Sequence, residues 1–495
     1  VIGLTIKKLI MHVKINTYFF CPQLITGLRR FSSCFLIAFF ALNTAAQTTM
    51  NGLWHGAFTV MGQSFLMDLE VSTEKKEVFI INPEIPGANK FSCEDILMSP
   101  TTLVFTWKMG GLQFNGNYAE KGDSLYGKMA QSGLTWDVVF TRNLAEKKVV
   151  LRPQEPKEPF PYKTEEISFQ NKQDGTQIFG TLTYPANAKG SFPIVILASG
   201  SGPQDRDCNL LGHKSFLVIA DHLARNGIAS FRFDDRGTGK SQADYAKAGV
   251  TDFASDVWSS IDFFSGQKAF KNNPLGLIGH SEGGMHILLA EAKRSGKVDF
   301  MIFLASIATS GRQALVQQQF EIPMKSGLGD SIARWNSSVY DGAAHRVLSE
   351  NDYARCAMNL RVFLTNIAKT APVGALDTSQ VGLERFIQGT SGLLNNKWGR
   401  EFLLFDAGPY IQKLSIPTLA IFGEEDQQVN SETNAAAFKA ALSEKQKQQT
   451  TIESYPGLNH LLQKCTTCMV SEYGDLTETF NEAVLVSLVQ FIQKQ

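Results

Sequence analysis

Ser281 sits between glycines two residues away on either side, in Gly279-His280-Ser281-Glu282-Gly283. This spacing suits a serine nucleophile. Small residues there let the chain turn sharply from a strand into a helix, and the turn lifts the hydroxyl clear of the backbone. The apolar run Leu275–Ile278 precedes the motif, and an apolar-periodic segment, Met285 to Ala290, follows it. The predicted order is therefore strand, turn, helix. The turn would aim the backbone N–H of Glu282 at the same point as Ser281 Oγ. The helix N-terminus would add partial positive charge where an oxyanion forms.

A serine needs a base, and the base needs an orienting acid. Pro417 to Gly423 reads as a buried strand, and Glu424-Glu425-Asp426 follows it. A second strand-like run, Thr450 to Tyr455, leads to Leu458-Asn459-His460. Taken singly, Asp426 reads as a turn carboxylate and His460 as a capping or surface histidine. In chain order, each placed after a strand, they read as acid and base for Ser281, with Glu424 and Glu425 competing for the acid role. A second oxyanion donor is expected from the glycine-rich turn Ser199-Gly200-Ser201-Gly202-Pro203, with the Ser201 amide first and Gly202 next.

These residues need a sheet to hold them. Ile194–Ala198 reads as a buried strand ending at that turn, His213 to Asn226 as a helix stopped by Gly227, and Ile228–Phe233 as the next strand. The segment Asp234-Asp235-Arg236-Gly237-Thr238-Gly239-Lys240-Ser241 ends like a phosphate loop. It fails that pattern because position 234 is Asp where glycine is required. Its expected role is structural, with Arg236 and the two aspartates tying loops together beside the site.

From about Glu165 to the C-terminus the chain resembles the α/β-hydrolase superfamily. It is similar to the secreted bacterial esterase-like group often classed with serine aminopeptidases and prolyl-oligopeptidase-like hydrolases. The residues that carry the resemblance are SGSGPQDRD (199–207), GHKSFLVIADHL (212–223), FDDRGTGKS (233–241), GHSEGG (279–284), GEED (423–426) and LNH (458–460). The resemblance implies an eight-stranded, mostly parallel sheet with helices on both faces, and no cofactor. The turn at Ser199-Gly200 departs from the histidine-glycine form common elsewhere in the superfamily.

The other segments are read from their composition. Residues 1–46 carry Lys7, Lys8, Lys14, Arg29 and Arg30 and no acid, and Arg29-Arg30 precedes the apolar run Phe31 to Leu42. With Thr44-Ala45-Ala46 as a cleavage site this reads as an export signal, and the residues before Met11 as a translation-start artefact. The destination expected is the periplasm or the medium. The apolar run is short for a bilayer span, so no stable span is expected after cleavage.

Residues 47–145 show short alternating runs with turn residues between them and read as an all-β domain, a sandwich or small barrel, with its aromatics in the core. Residues 146–164, with four prolines between Arg152 and Pro161, read as a semi-rigid linker. Residues 165–495 read as the hydrolase domain. About 310–405 within it is too long for a plain crossover and is largely helical in pattern, so it reads as a cap over the nucleophile. Trp335, Phe363, Phe386, Trp398 and Phe402 are its candidate pocket aromatics, most of them expected to hold the cap together.

The formal charge is zero, with 47 basic and 47 acidic residues, which gives no sign of nucleic-acid binding. Cys465 and Cys468 form a lone C-x-x-C. Without a second pair it predicts a local disulfide or two buried thiols rather than a zinc site, so no metal is expected.

These readings imply a serine hydrolase cleaving carboxylic esters through an acyl-enzyme on Ser281. The partner expected is a small-molecule ester, an acylated carbohydrate among the options. A serine peptidase or aminopeptidase of the same fold is the alternative chemistry, and a non-catalytic binding protein on a hydrolase scaffold is the alternative of another class.

Overall fold

The structure is a computed structural model. It describes residues 50–495 apart from 61–62, 82–89, 109–110, 120–121, 132–133, 144–149 and 187–190. The export signal expected over residues 1–46 lies outside the described residues.

The first sheet holds nine strands: β1 (Gly52–Val60), β2 (Gln63–Ser72), β3 (Glu77–Ile81), β4 (Phe91–Ser92), β5 (Glu94–Met98), β6 (Thr102–Trp107), β7 (Leu112–Tyr118), β8 (Ser124–Gln131) and β9 (Leu134–Thr141). Their order is β4-β3-β2-β1-β9-β8-β7-β6-β5. The two ends of that order, β4 and β5, are separated in the chain only by Cys93. One bent strand therefore pairs with β3 on one side and β6 on the other, and the meander curls into a barrel. Alternate residues fill the interior. Along β7, Leu112, Phe114 and Gly116 are buried while Gln113, Asn115 and Asn117 face out. Trp54, Phe105, Phe114 and Phe140 are fully buried in that core. Not every strand shows a buried alternation: β4 is two residues long, and β5 has no buried residue on either face.

The second sheet has eight strands: β10 (Tyr162–Gln170), β11 (Gln177–Pro185), β12 (Ile194–Ala198), β15 (Ala229–Phe233), β16 (Leu275–His280), β17 (Phe300–Leu304), β18 (Thr418–Gly423) and β19 (Thr450–Tyr455). The two-residue strands β13 (Asn209–Leu210) and β14 (His213–Lys214) form a separate ribbon. The order is β10-β11-β15-β12-β16-β17-β18-β19, antiparallel at β10–β11–β15 and parallel from there on. The linker thus ends three residues earlier than the reading of 146–164, because Tyr162 already pairs with Pro185.

Helices cover both faces. Ser215–Arg225 (α1), Val250–Gly266 (α2) and Gly283–Lys293 (α3) follow successive strands. The cap then runs through α4 (Gly311–Lys325), α5 (Asp330–Ser349), α6 (Tyr353–Ala368), α7 (Gln380–Leu394), α8 (Lys397–Leu404) and α9 (Gly408–Ile411). The last helices are α10 (Ser431–Ala441), α11 (Glu444–Lys447) and α12 (Glu482–Ile492).

The five residues of β12 are all buried because the sheet has a core on each side. Ile194 and Ile196 pack with Val257, Ile261 and Met285 of α2 and α3. Val195 and Leu197 pack with Phe216, Ile219, Leu485 and Leu488 of α1 and α12. Within the cap, Trp335 stacks on Phe386 at 5.8 Å and Phe363 covers Gly342, so these three aromatics hold helices together.

The linker is strapped to the second domain. Arg152 donates to the carbonyls of Gly474, at 2.7 Å, and Leu476, and Gln154 bonds the backbone of Thr479 and Phe480.

Candidate active site

Strand β16 delivers Ser281 at its C-terminal end, one residue past His280. The left-handed backbone falls on the serine itself, with φ +54°. The flanking glycines serve close approach. A Cβ on Gly279 would lie 2.5 Å from the Gly283 carbonyl oxygen, and one on Gly283 would lie 2.3 Å from that of Ala198. Such distances exclude any side chain. The turn is pinned by the Ser281 N–H donating to Leu304 O at 2.9 Å and by the Ser306 hydroxyl donating to Gly279 O at 2.9 Å. Helix α3 starts at Gly283, so its positive end lies against the serine.

Asp426 and His460 follow neighbouring strands, β18 and β19, whose last residues Gly423 and Tyr455 pair with each other. His460 Nδ1 lies 2.7 Å from Asp426 Oδ2, with both residues buried. The other carboxylate oxygen accepts from the backbone N–H of Gln428 at 2.7 Å and Val429 at 2.9 Å. Both oxygens are thus committed, which holds the imidazole in the tautomer with its proton on Nδ1. Of the competing acids, Glu424 is exposed, and Glu425 faces Lys325 at 3.5 Å.

His460 packs on His280, the residue that precedes Ser281 in the chain. The two rings lie 4.9 Å apart, and His280 Nε2–H donates to the His460 carbonyl at 3.0 Å. Burial, with His460 alongside, pushes the His280 pKa down to about 4, so His280 remains neutral. Among the described residues Ser281 Oγ makes no hydrogen bond. Catalytic pairs in unliganded enzymes commonly tighten only when substrate is present.

The turn after β12 packs directly on the serine, since a Cβ on Gly200 would come within 3.0 Å of Ser281 Cβ. Among the described residues the backbone N–H groups of Ser201 and Glu282 have no acceptor. The Gly202 amide lies against the Tyr245 hydroxyl, a phenol that burial keeps protonated.

Two aspartates hold this turn. Asp235 accepts from Ser199 Oγ at 2.6 Å and from the Gln204 N–H at 2.9 Å, gripping both ends. Asp234 accepts from the Arg206 N–H and its guanidinium, and from the Lys240 N–H. Arg236 is turned away, paired with Asp256 and Asp174.

The two aspartates tie loops together beside the site as the sequence suggested, while Arg236 ties elements further away. Sequence reasoning did not anticipate the side chain of Glu282 or Tyr473. Tyr473 is fully buried, its phenol pushed up by burial and by Asp426, and its carbonyl accepts from His213 Nε2 at 2.6 Å. It sits on a short helix after the Cys465–Cys468 disulfide, thirteen residues beyond His460, where only the fold relates it to the acid–base pair.

Burial pushes the Asp235 carboxyl up to about 8 against its two hydrogen bonds. A carboxyl raised on folding adds stability that is complete below its unfolded pKa and is lost as pH climbs to the folded value. The contribution of Asp235 to stability should therefore fall between pH 4 and about 8 and level off above. Asp235→Asn imitates the neutral form, and its melting temperature should fall less over that window. Equal slopes in the two proteins, measured by thermal melts across the range, would exclude this account.

Among the described residues no group of His, Cys, Asp and Glu could hold a metal ion, and no helix is long and apolar enough to cross a membrane.

The family model described as serine aminopeptidase, S33, matches residues 213–337. Esterase EstD of Thermotoga maritima is 24% identical over 284 residues, and the match spans 57% of this chain and 57% of the length of that curated relative. Among solved structures, Est1E of Butyrivibrio proteoclasticus with bound ferulic acid overlays with a TM-score of 0.38 at 15% identity, covering 66% of this chain and 98% of that one. The Pyrococcus furiosus esterase Pf2001 overlays with a TM-score of 0.39 at 13% identity, covering 67% and 93%.

Proposed function

We propose that this chain, an α/β-hydrolase similar to the esterase-like group, cleaves carboxylic esters through an acyl-enzyme on Ser281. The observation that carries the reading is the buried His460–Asp426 pair, packed on His280, whose next residue is a serine held in left-handed backbone. His460 Nε2 takes the Ser281 proton as Oγ attacks the ester carbonyl. The negative oxygen of the tetrahedral intermediate is received by the Glu282 N–H and, from the facing turn, the Ser201 N–H. His460 then returns its proton to the departing alcohol. Water, activated by the same histidine, releases the acid. Asp426 holds the imidazole and offsets its transient charge.

The family description favours a second reading, an aminopeptidase. That reaction needs a carboxylate free to receive a substrate amine. The acid next to the nucleophile, Glu282, is buried with both oxygens bonded. In the cap, Asp330, Asp341, Glu350 and Glu384 are paired with Arg334, Arg312, Arg355 and Arg361, whereas the half-buried Glu321 meets only the Asn430 side-chain amide, at 3.3 Å, among the described residues. An ester also asks less of the site, because an alkoxide leaves with little help whereas an amide nitrogen must be protonated as it departs.

The purified protein should therefore hydrolyse p-nitrophenyl acetate and butyrate far faster than aminoacyl or prolyl nitroanilides, with no loss in chelator. Faster cleavage of the anilides would transfer the assignment to the peptidase. The Cys465–Cys468 disulfide supports export to an oxidising compartment, the periplasm or the medium.

A further inference from the structure

We propose that the side chain of Glu282 is a positioning residue, locking the turn that carries the second oxyanion donor, and the cap helix α8, onto the nucleophile turn. The inference rests on the reading of Ser281 as nucleophile and extends it to a group that such a reading uses only through its backbone N–H.

Glu282 is 1% exposed and touches three separate elements. Its Oε2 accepts from the Ser201 hydroxyl at 2.5 Å, in the turn after β12. Its Oε1 accepts from the Trp398 indole N–H at 2.8 Å, on α8, and lies 3.3 Å from His286 Nε2, one turn along α3. Burial alone would raise this carboxyl, but His286, Ser201 and Trp398 hold it below the usual range, so it stays ionised.

A buried ionised carboxylate is a poor way to gain stability. An apolar residue of similar size commonly holds such a place as well or better. What the carboxylate does provide is direction, since its two oxygens face two donors on two segments that share no other link through it. Asp235 fixes the ends of the turn at Ser199 and Gln204, and Glu282 fixes its middle at Ser201. The Ser201 backbone N–H is one bond from the Cα that bears this tethered hydroxymethyl. The tether therefore sets how far that N–H stands from an oxyanion on Ser281. On the cap side, α8 is already braced on α2 by Lys397 with Asp252 and by Glu401 with the Thr251 N–H and hydroxyl. Trp398 passes that bracing to the nucleophile turn.

Misplacement of a donor by a fraction of an ångström weakens transition-state binding more than substrate binding, so the loss should appear in kcat. Glu282→Gln keeps the size and one acceptor. Ser201→Ala keeps the backbone N–H and removes only the tether. Each should lower kcat for p-nitrophenyl butyrate by roughly 10–100-fold, short of the loss from deleting a donor, with KM within about 3-fold. The rate at which a fluorophosphonate labels Ser281 should fall in parallel, because its phosphoryl oxygen occupies the same hole. The double variant should be no worse than about 3-fold below the slower single, since both changes cut one tether. Circular dichroism and melting of Ser201→Ala, whose side chain lies at the surface, separate the effect from unfolding. A folded Ser201→Ala or Glu282→Gln protein with kcat within about 2-fold of wild type overturns the inference, as do losses that multiply in the double variant. If the wild-type protein neither turns over ester nor labels at Ser281, the proposed function itself falls and this inference with it.

Discussion

Ser281→Ala should remove nearly all ester turnover and leave a folded protein. The hydroxyl is the only atom lost, and the turn that presents it is built from backbone: the Ser281 N–H on Leu304 O, the glycine contacts at 279 and 283, and the Ser306 bond to Gly279 O. Alanine must still adopt φ +54°, as serine does, so the strain of the turn changes little. With nucleophile and base acting as one unit, the expected loss in kcat is on the order of 10⁴–10⁶-fold, the residue of activity being what oxyanion stabilisation and binding supply without a nucleophile. A fluorophosphonate should label wild type at Ser281 and leave the variant unlabelled. Labelling that persists in Ser281→Ala would place the nucleophile elsewhere.

The second large effect is expected at the acid–base pair. His460→Ala should cost as much as Ser281→Ala, because a serine without its base is an alcohol of ordinary pKa. Asp426→Asn is the more informative change. Its amide would keep contact with the ring while favouring the wrong tautomer, and a kcat loss on the order of 10⁴-fold is expected, smaller than for His460→Ala. Glu424→Gln and Glu425→Gln serve as controls, since Glu424 is exposed and Glu425 faces Lys325 of the cap. Neither should change kcat by more than about 2-fold. A crippled Glu424→Gln or Glu425→Gln enzyme with an active Asp426→Asn would reverse the assignment of the acid.

How far the chain could be read depended on whether the governing interaction was local. The strands of the second sheet from β12 onward announce themselves because a parallel sheet buries both faces, and five- or six-residue apolar runs such as Ile194–Ala198 and Phe300–Leu304 have few other uses. The serine turn was legible for a related reason, its glycines being required within four residues of the nucleophile. Strand β10, at the edge of the sheet, and its neighbour β11 carry no such apolar run, since β10 is charged and largely exposed and β11 alternates between buried and half-buried residues.

By itself the sequence placed the candidate nucleophile, acid and base in order along the chain, with the sheet that carries them and a separate all-β region ahead of it. These follow from periodicity and from spacings of a few residues, where backbone geometry leaves little choice. Only the tertiary structure decided which of three consecutive acids meets His460, and which carboxylates are spent as tethers. Asp426, Asp235 and Glu282 act through partners 34, 36 and 81 residues away, and no local pattern encodes such distances. The charge that matters at the site is the charge that folding buries. Burial becomes known only when the helices of the cap, the turn after β12 and the end of β19 close on one another.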